Sequence, residues 1–172
     1  MYAFEPFPPL FSQLTRQLKQ NPAFHDRVTC LPIGLAETPG RQMLYTRAGA
    51  NEGVNTLFQD AQHQQALEEI VLDTLDAVCK AQGIKRIDFI KIDIEGAELS
   101  ALKGAEQTLR AHLPTLLLEV NKQACAAAGY TAEELLSFLR ELGYRRFERV
   151  GLRGRLLPLG ELPAFSNLII RS

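Results

Sequence analysis

Several residue types and patterns are scarce in this sequence, and each scarcity excludes a class of protein. The 172 residues include no tryptophan and only three cysteines, and the net charge is −1. The cysteines, Cys30, Cys79 and Cys125, lie far apart without CxxC or zinc-ligand spacing, so we expect reduced thiols and no disulfide framework. The balanced charge argues against a protein that coats nucleic acid, because phosphate binding usually needs a basic excess.

Long apolar runs and the features of an amino-terminal leader are also missing. No stretch approaches the roughly 20 apolar residues that cross a bilayer, and no basic region followed by an apolar core opens the sequence. We therefore expect a cytoplasmic protein without a membrane partner. Apolar residues make up 46% of the chain and charged residues 23%, which is typical of globular proteins, and we predict one domain over residues 1–172.

Strand-like and helix-like segments alternate along the chain. Strands are predicted at Tyr2–Phe4, Val28–Leu35, Glu69–Leu72, Ile87–Ile94, Thr115–Val120, Arg145–Val150 and Phe165–Ile170, with a further candidate at Gln42–Thr46 and a loop at Gly49–Gly53. Helices are predicted where Leu10, Leu14 and Leu18 recur, after the cap Thr74, from Leu99 to Leu109, and after the capping box of Thr131 and Glu134. This alternation predicts an α/β fold with a mostly parallel sheet and a closing hairpin.

Candidate ligand-binding residues stand where four of the predicted strands end, and those at three of the four are polar. Ligands of parallel sheets bind beyond the carboxyl ends of the strands. Glu5 ends the first strand, and an acid there could accept hydrogen bonds from the hydroxyls of a ribose; a solvated loop carboxylate is the alternative. Gly34 and Leu35 lie at the end of the second strand.

The nearly continuous apolar run of residues 87–94 predicts a parallel strand that is buried on both faces. Asp93 and Glu95 flank the end of this strand and the start of a helix. The helix dipole favours carboxylates there, and Gly96 lets the backbone approach a ligand closely. Such a carboxylate could accept a proton from a bound hydroxyl or hold a divalent cation. Helix capping alone explains the same spacing equally well.

Glu119 and Asn121 follow the neighbouring strand and offer further oxygen atoms. Together with Asp93 they could bind substrate or a hard cation such as magnesium, although solvated polar residues at a strand end are the commoner case. Lys91 interrupts the apolar strand of residues 87–94. A buried ammonium needs a partner, and we expect a structural ion pair with a carboxylate such as Glu119.

The sequence resembles the FkbM family of methyltransferases over essentially its whole length. The most specific match is the stretch Ile87-Asp88-Phe89-Ile90-Lys91-Ile92-Asp93-Ile94-Glu95-Gly96-Ala97-Glu98, followed by Leu102-Lys103-Gly104-Ala105. Tyr2-Ala3-Phe4-Glu5-Pro6, Thr74-Leu75-Asp76, Pro114 to Glu119 and Asn167-Leu168-Ile169 resemble flanking segments of the family.

This resemblance implies a Rossmann-like class I methyltransferase sheet and transfer of a methyl group from S-adenosylmethionine. The implied acceptor is a hydroxyl on a sugar or a secondary metabolite. Glu5 would bind the cofactor ribose, and the backbone near Gly34 and Leu35 would flank the adenine. Asp93 and Glu95 would face the methionine moiety and the acceptor, with one of them as the general base.

One part of the family pattern is not found in the sequence. The family begins with a strand, a loop of the type Asp-x-Gly-Ala-Asn-x-Gly and a helix, and these do not occur before Tyr2. That strand would lie between the strands of residues 2–5 and 87–93. Those strands must therefore pair directly or leave unpaired edges, which favour aggregation. We expect a truncated reading frame or fragment.

Two other interpretations remain open. The chain could be an inactive remnant of the fold that serves as an interaction module, and cofactor binding would separate that interpretation from the enzyme. A nicotinamide-dependent Rossmann enzyme fits an acid after a strand, but the segment from Asp93 to Gly96 does not resemble one. The methyl acceptor and the oligomeric state are not determined by the sequence.

Overall fold

The structure is a computed structural model that describes residues 1–46, 55–59 and 61–172. Its strands and helices, in chain order, are β1 (Tyr2–Phe4), α1 (Pro8–Lys19), α2 (Pro22–His25), β2 (Thr29–Leu31), β3 (Gly34–Leu35), β4 (Gly40–Thr46), β5 (Asn55–Thr56), β6 (Gln65–Asp73), α3 (Leu75–Gln82), β7 (Phe89–Ile92), α4 (Glu98–Lys103), α5 (Glu106–His112), β8 (Thr115–Asn121), α6 (Lys122–Ala127), α7 (Ala132–Glu141), β9 (Arg146–Val150), β10 (Leu156–Pro158) and β11 (Phe165–Arg171). The loop predicted at Gly49–Gly53 lies outside the described residues.

The described strands form three sheets. Five strands are ordered β10-β9-β11-β8-β7, four are ordered β3-β6-β4-β5, and β1 pairs with β2. The β7–β8 and β1–β2 pairs are parallel, whereas β11 runs antiparallel to both β8 and β9. The α/β class and the closing antiparallel strands are therefore as predicted. The expected mostly parallel sheet is wrong, because the described strands form divided, mixed sheets in which antiparallel pairs outnumber parallel ones.

Three predicted elements differ from the structure. The strand expected at Val28–Leu35 is two strands in different sheets, because Pro32 and Ile33 separate β2 from β3. The strand expected at Glu69–Leu72 is longer, because β6 extends back to Gln65 to pair with β4. The helix expected from Leu99 to Leu109 breaks at Gly104, which ends α4.

One hydrophobic core joins most of these elements. Its fully buried side chains come from the helices and from the middle of the five-stranded sheet, and include Leu102, Leu109, Leu116, Leu118, Leu135, Leu139, Tyr144, Leu168 and Ile170. Phe4 of β1 and Ile90 of β7 both pack on this cluster, so the two separated sheets share one core. None of the helices in the described residues has the length and apolar character that a bilayer crossing requires.

An apolar cleft of about 900 Å³ lies between β1 and β7. Within the described residues, β1 pairs only with β2 and β7 only with β8, so each strand has one unpaired edge. We expected these two strands either to pair directly or to keep unpaired edges, and the structure shows the unpaired edges. Phe89 is consequently 53% exposed, which corrects the prediction that this strand is buried on both faces.

The hydrogen bonds of the paired edges show which backbone groups line the unpaired ones. The Met1 carbonyl accepts from Thr29 N–H and Glu5 N–H donates to Leu31, so alternate residues of β1 face β2. Parallel strands alternate in this way, and Tyr2 and Phe4 therefore direct their backbone groups to the other edge. Beside β7, the Asp88 carbonyl accepts from Thr115 N–H, so Asp88 faces β8. By the same alternation, residues 89 and 91 direct their backbone groups to the unpaired edge of β7.

Candidate active site

A tight turn follows β7 and carries the two predicted acids. Glu95 and Gly96 both have positive φ angles, of 51° and 101°. A Cβ atom at residue 96 would lie 2.8 Å from the Ala124 carbonyl oxygen, so glycine is required there both by conformation and by space. The Thr56 hydroxyl donates to the Glu95 carbonyl oxygen at 2.7 Å, which fixes the turn against β5.

The turn brings three carboxylates together. One oxygen atom each from Asp93, Glu95 and Glu119 lies within 4.8 Å of the other two. Burial, reinforced by the carboxylates of Asp93, Glu95 and Glu98 and opposed by Lys91, raises the pKa of Glu119 to about 7. Such a group is half protonated near neutral pH, which suits a carboxylate that accepts and returns protons. The same oxygen set is suited to a hard divalent cation, and cation binding stays a prediction.

Replacing Glu119 with glutamine should change how stability depends on pH. The folded chain holds the Glu119 proton up to a pKa of about 7, against an ordinary value of 4.5. This contribution to stability is therefore complete below about pH 4.5 and is lost as the pH rises through about 7. Glutamine cannot ionise, so the stability advantage of Glu119→Gln over the wild type should grow over that interval, by on the order of 1–2 kcal/mol once solvent screening of this partly exposed group is allowed for. Thermal melts across this pH range test the prediction, with Glu141→Gln on the exposed face of α7 as the control. If the Tm values of Glu119→Gln and the wild type change with pH in parallel, the prediction is contradicted.

Two predicted residues have contacts that the sequence did not indicate. The side-chain oxygen of Asn121 accepts from the backbone N–H groups of Gln123 at 3.0 Å and Ala124 at 3.4 Å, so it caps α6. Lys91 is exposed and pairs with Asp93 at 2.8 Å, which corrects the buried pair expected with Glu119. The reason is that the open edge of β7 leaves the Lys91 side chain in solvent.

Glu5 lies across the cleft from this cluster. Glu5, Gly34 and Leu35 line the cleft together with Asp93 and Glu95, whereas Glu119 and Asn121 line an adjoining hollow of about 210 Å³ that also touches Glu95. The Glu5 side chain accepts from Phe7 N–H at 2.9 Å. Burial raises the pKa of Glu5, and this bond partly opposes the shift.

Sequence reasoning missed three residues that shape the turn. They are Thr56, Glu98 and Tyr130, all of which hydrogen-bond to the turn or to one another. Thr56 contacts the turn from 39 residues away along the chain, and Tyr130 contacts Glu98 from 32 residues away. No local pattern marks such contacts. Glu98 did have a signal, because it ends the most specific stretch of the sequence.

Comparison with known proteins gives a consistent assignment. The sequence profile described as "Methyltransferase FkbM domain" matches residues 1–146. Methyltransferase sdnD of Sordaria araneosa is 30% identical over 132 residues, covering 61% of this chain and 51% of sdnD. The AMB antimetabolite synthetase AmbE of Pseudomonas aeruginosa is 30% identical over 99 residues, covering 56% of this chain and 5% of AmbE. The chain thus matches about half the length of one curated relative and a small part of the other.

A solved structure has the same fold. The FkbM methyltransferase of Methylobacillus flagellatus KT superposes with a TM-score of 0.57 at 20% identity, covering 99% of this chain and 36% of that protein. At this identity the likeness concerns the fold alone. Because the family profile covers most of the chain, the chain belongs to the FkbM methyltransferase family.

Proposed function

We propose that this chain forms part of an S-adenosylmethionine-dependent methyltransferase that methylates a hydroxyl group of a small molecule or a glycan. The observation that supports this most is the shared cleft. Its walls bring a half-buried carboxylate, Glu5, to the same space as Asp93 and Glu95. A volume of about 900 Å³ is within the range of small-molecule and cofactor sites.

The residues present fit this cofactor. A carboxylate has two oxygens that accept several hydrogen bonds, so Glu5 could bind the paired hydroxyls of a ribose while retaining its bond to Phe7. At Gly34 a Cβ atom would lie 2.7 Å from the Leu72 side chain, so there is no room for a larger side chain, and Gly34 and Leu35 line the cleft together with Glu5. When bound, the cofactor supplies a methyl group on a positively charged sulfur that is already a good leaving group.

Positioning and proton acceptance are the tasks that the chain's own residues would perform. Holding the acceptor oxygen in line with the methyl carbon lowers the entropic part of the barrier. A carboxylate of the turn, Asp93 or Glu95, would take the hydroxyl proton as the oxygen forms its new bond to carbon. Glu119 lies close enough to share that proton.

Replacing Glu5 tests the cofactor assignment. We expect S-adenosylmethionine to bind the wild-type chain in a calorimetric titration, and Glu5→Gln to weaken binding by about tenfold or more, because hydrogen bonds to a charged acceptor are lost. Glu37→Gln is the matched control, since Glu37 pairs with Lys103 outside the cleft. Equal affinities of the wild type and Glu5→Gln for S-adenosylmethionine would show that Glu5 does not bind the cofactor.

A second candidate function is supported by the unpaired edges of β1 and β7. Open strand edges next to exposed apolar side chains are templates for pairing with another polypeptide. The edges, together with the greater length of the relatives, support the proposal that the chain works within a longer protein that contributes a strand there. If the wild-type chain does not bind S-adenosylmethionine, the result favours an interaction module over an enzyme.

A further inference from the structure

The carboxylate of Glu98 is buried directly beneath the turn that carries Asp93 and Glu95. Glu98 is the first residue of α4 and is only 5% exposed. One of its oxygens accepts from Ile94 N–H at 3.1 Å and from Gly96 N–H at 3.2 Å, and the other accepts from Gly96 N–H at 3.0 Å. The Tyr130 hydroxyl donates to the second oxygen at 3.0 Å.

These contacts explain how the chain holds an unfavourable turn conformation. Glu95 has a left-handed φ of 51° without being glycine, which is a strained conformation that the surroundings must impose. Hydrogen bonds to a buried carboxylate are stronger than those between neutral groups. The three bonds from Ile94 and Gly96 flank Glu95 on both sides and fix the direction of its side chain.

Tyr130 completes the arrangement from outside the turn. Burial, together with the neighbouring Glu98 carboxylate, raises the pKa of Tyr130, so the hydroxyl keeps its proton and remains a donor. Tyr130 directly precedes Thr131, the cap of α7, which forms its own capping box with Glu134. The carboxylate of Glu98 is therefore held between the turn and the start of a rigid helix.

We propose that Glu98 is a positioning residue: with Tyr130, it holds the turn from Ile94 to Gly96 so that Asp93 and Glu95 converge on Glu119. Glu98 acts through the backbone and does not itself face the cleft, whose lining includes Glu95 and Ala97. The inference rests on the proposed function for the chemistry that Asp93 and Glu95 would perform. Its geometric part can be tested without cofactor or acceptor.

Site-resolved amide hydrogen exchange of the full chain, without ligand, provides the test. Glu98→Gln preserves shape but removes the charge and one acceptor oxygen, so exchange at Ile94 and Gly96 should accelerate by about tenfold or more. Exchange in the buried strand β8 should change far less. A merely stabilising role would instead raise exchange at all of these amides together.

Two further variants separate the outcomes. Glu106 is the first residue of α5 and forms an exposed pair with Arg110 at 2.9 Å, so Glu106→Gln controls for the loss of a carboxylate at a helix start. Tyr130→Phe removes one donor and keeps the ring, and it should accelerate exchange at Gly96 by a smaller factor. If Glu98→Gln fails to fold, Tyr130→Phe still decides.

The results overturn the proposal if Gly96 exchanges at the wild-type rate in Tyr130→Phe, or if exchange in Glu98→Gln rises equally in the turn and in β8. Cofactor titration of the same variants keeps this question apart from the function. Faster turn exchange in a chain that never binds S-adenosylmethionine would support the positioning role and contradict the proposed function. Wild-type exchange rates at the turn in the variants of a chain that binds S-adenosylmethionine would contradict the positioning role and support the proposed function.

Discussion

Replacing Gly104 with alanine is expected to destabilise the chain by about 3 kcal/mol or more. A Cβ atom at residue 104 would collide with the carbonyl group of Ala36, which follows β3. Backbone atoms cannot rotate away as a side chain can, so the α4–α5 junction and the four-stranded sheet would have to separate. The Gly104 carbonyl also accepts from Asp76 N–H at 3.1 Å, and that bond would be disturbed.

The direction of this effect distinguishes close packing from chain flexibility. Gly104 has an ordinary right-handed conformation, with a φ of −69°, and in such a conformation alanine usually stabilises a protein by restricting the unfolded chain. A loss of stability can therefore only come from the contact with Ala36. Thermal unfolding should show a Tm lower by about 10 °C, and urea unfolding should show a lower midpoint concentration.

Gly40→Ala is the matched control, because no atom lies within 4 Å of a Cβ placed there. It should leave the Tm nearly unchanged. A Gly104→Ala variant as stable as the wild type would show that the helix junction and Ala36 do not approach as closely as described.

Replacing Asp93 with asparagine is expected to abolish methyl transfer in a form of the protein that has measurable activity. Removing a positioned proton acceptor commonly lowers turnover by about 10²–10⁴-fold. Asparagine preserves the size of the side chain and the position of one oxygen, so the affinity for the acceptor should change little. Steady-state kinetics with S-adenosylmethionine and an acceptor should therefore show a fall in kcat without a matching rise in KM.

Lys91→Met provides the comparison for Asp93→Asn. Lys91 forms an exposed ion pair with Asp93 at 2.8 Å, and exposed pairs contribute little to stability. Removing the ammonium leaves the carboxylate in place, so turnover should remain within a few-fold of the wild type. Near-normal turnover in Asp93→Asn would shift the proton-accepting role to Glu95 or Glu119.

Local signals in the sequence predicted the parts of the fold that local chemistry controls. Thr74 accepts a hydrogen bond from Ala77 N–H as the cap of α3, and Thr131 with Glu134 forms the predicted capping box. The position of Asp93 directly after β7 was predicted because strands end where apolar runs end, whereas Glu119 lies inside β8, two residues before its end. Burial and hydrogen bonding then bring these acids to the same edge.

The features that sequence reasoning missed depend on distant partners. At Gly104, where the predicted helix breaks, the backbone packs closely against Ala36. The extension of β6 accompanies its pairing with β4. The contact between Tyr130 and Glu98 joins the loop before α7 to the start of α4. None of these partners leaves a periodic pattern in its own segment. The ion pair of Lys91 was wrongly assigned because its strand was assumed to be covered on both sides.

The place of β11 in the five-stranded sheet constrains how the chain can fold during synthesis. β11 is the last strand in sequence, yet it lies between β8 and β9 and pairs with both. Until Phe165–Arg171 leave the ribosome, β8 and β9 therefore have no strand between them. Sheet completion must await release of these residues, and the nascent chain exposes apolar strand faces until then. Non-local pairing of this kind slows folding and favours chaperone contact, so residues translated well after β8 and β9 complete the centre of the sheet.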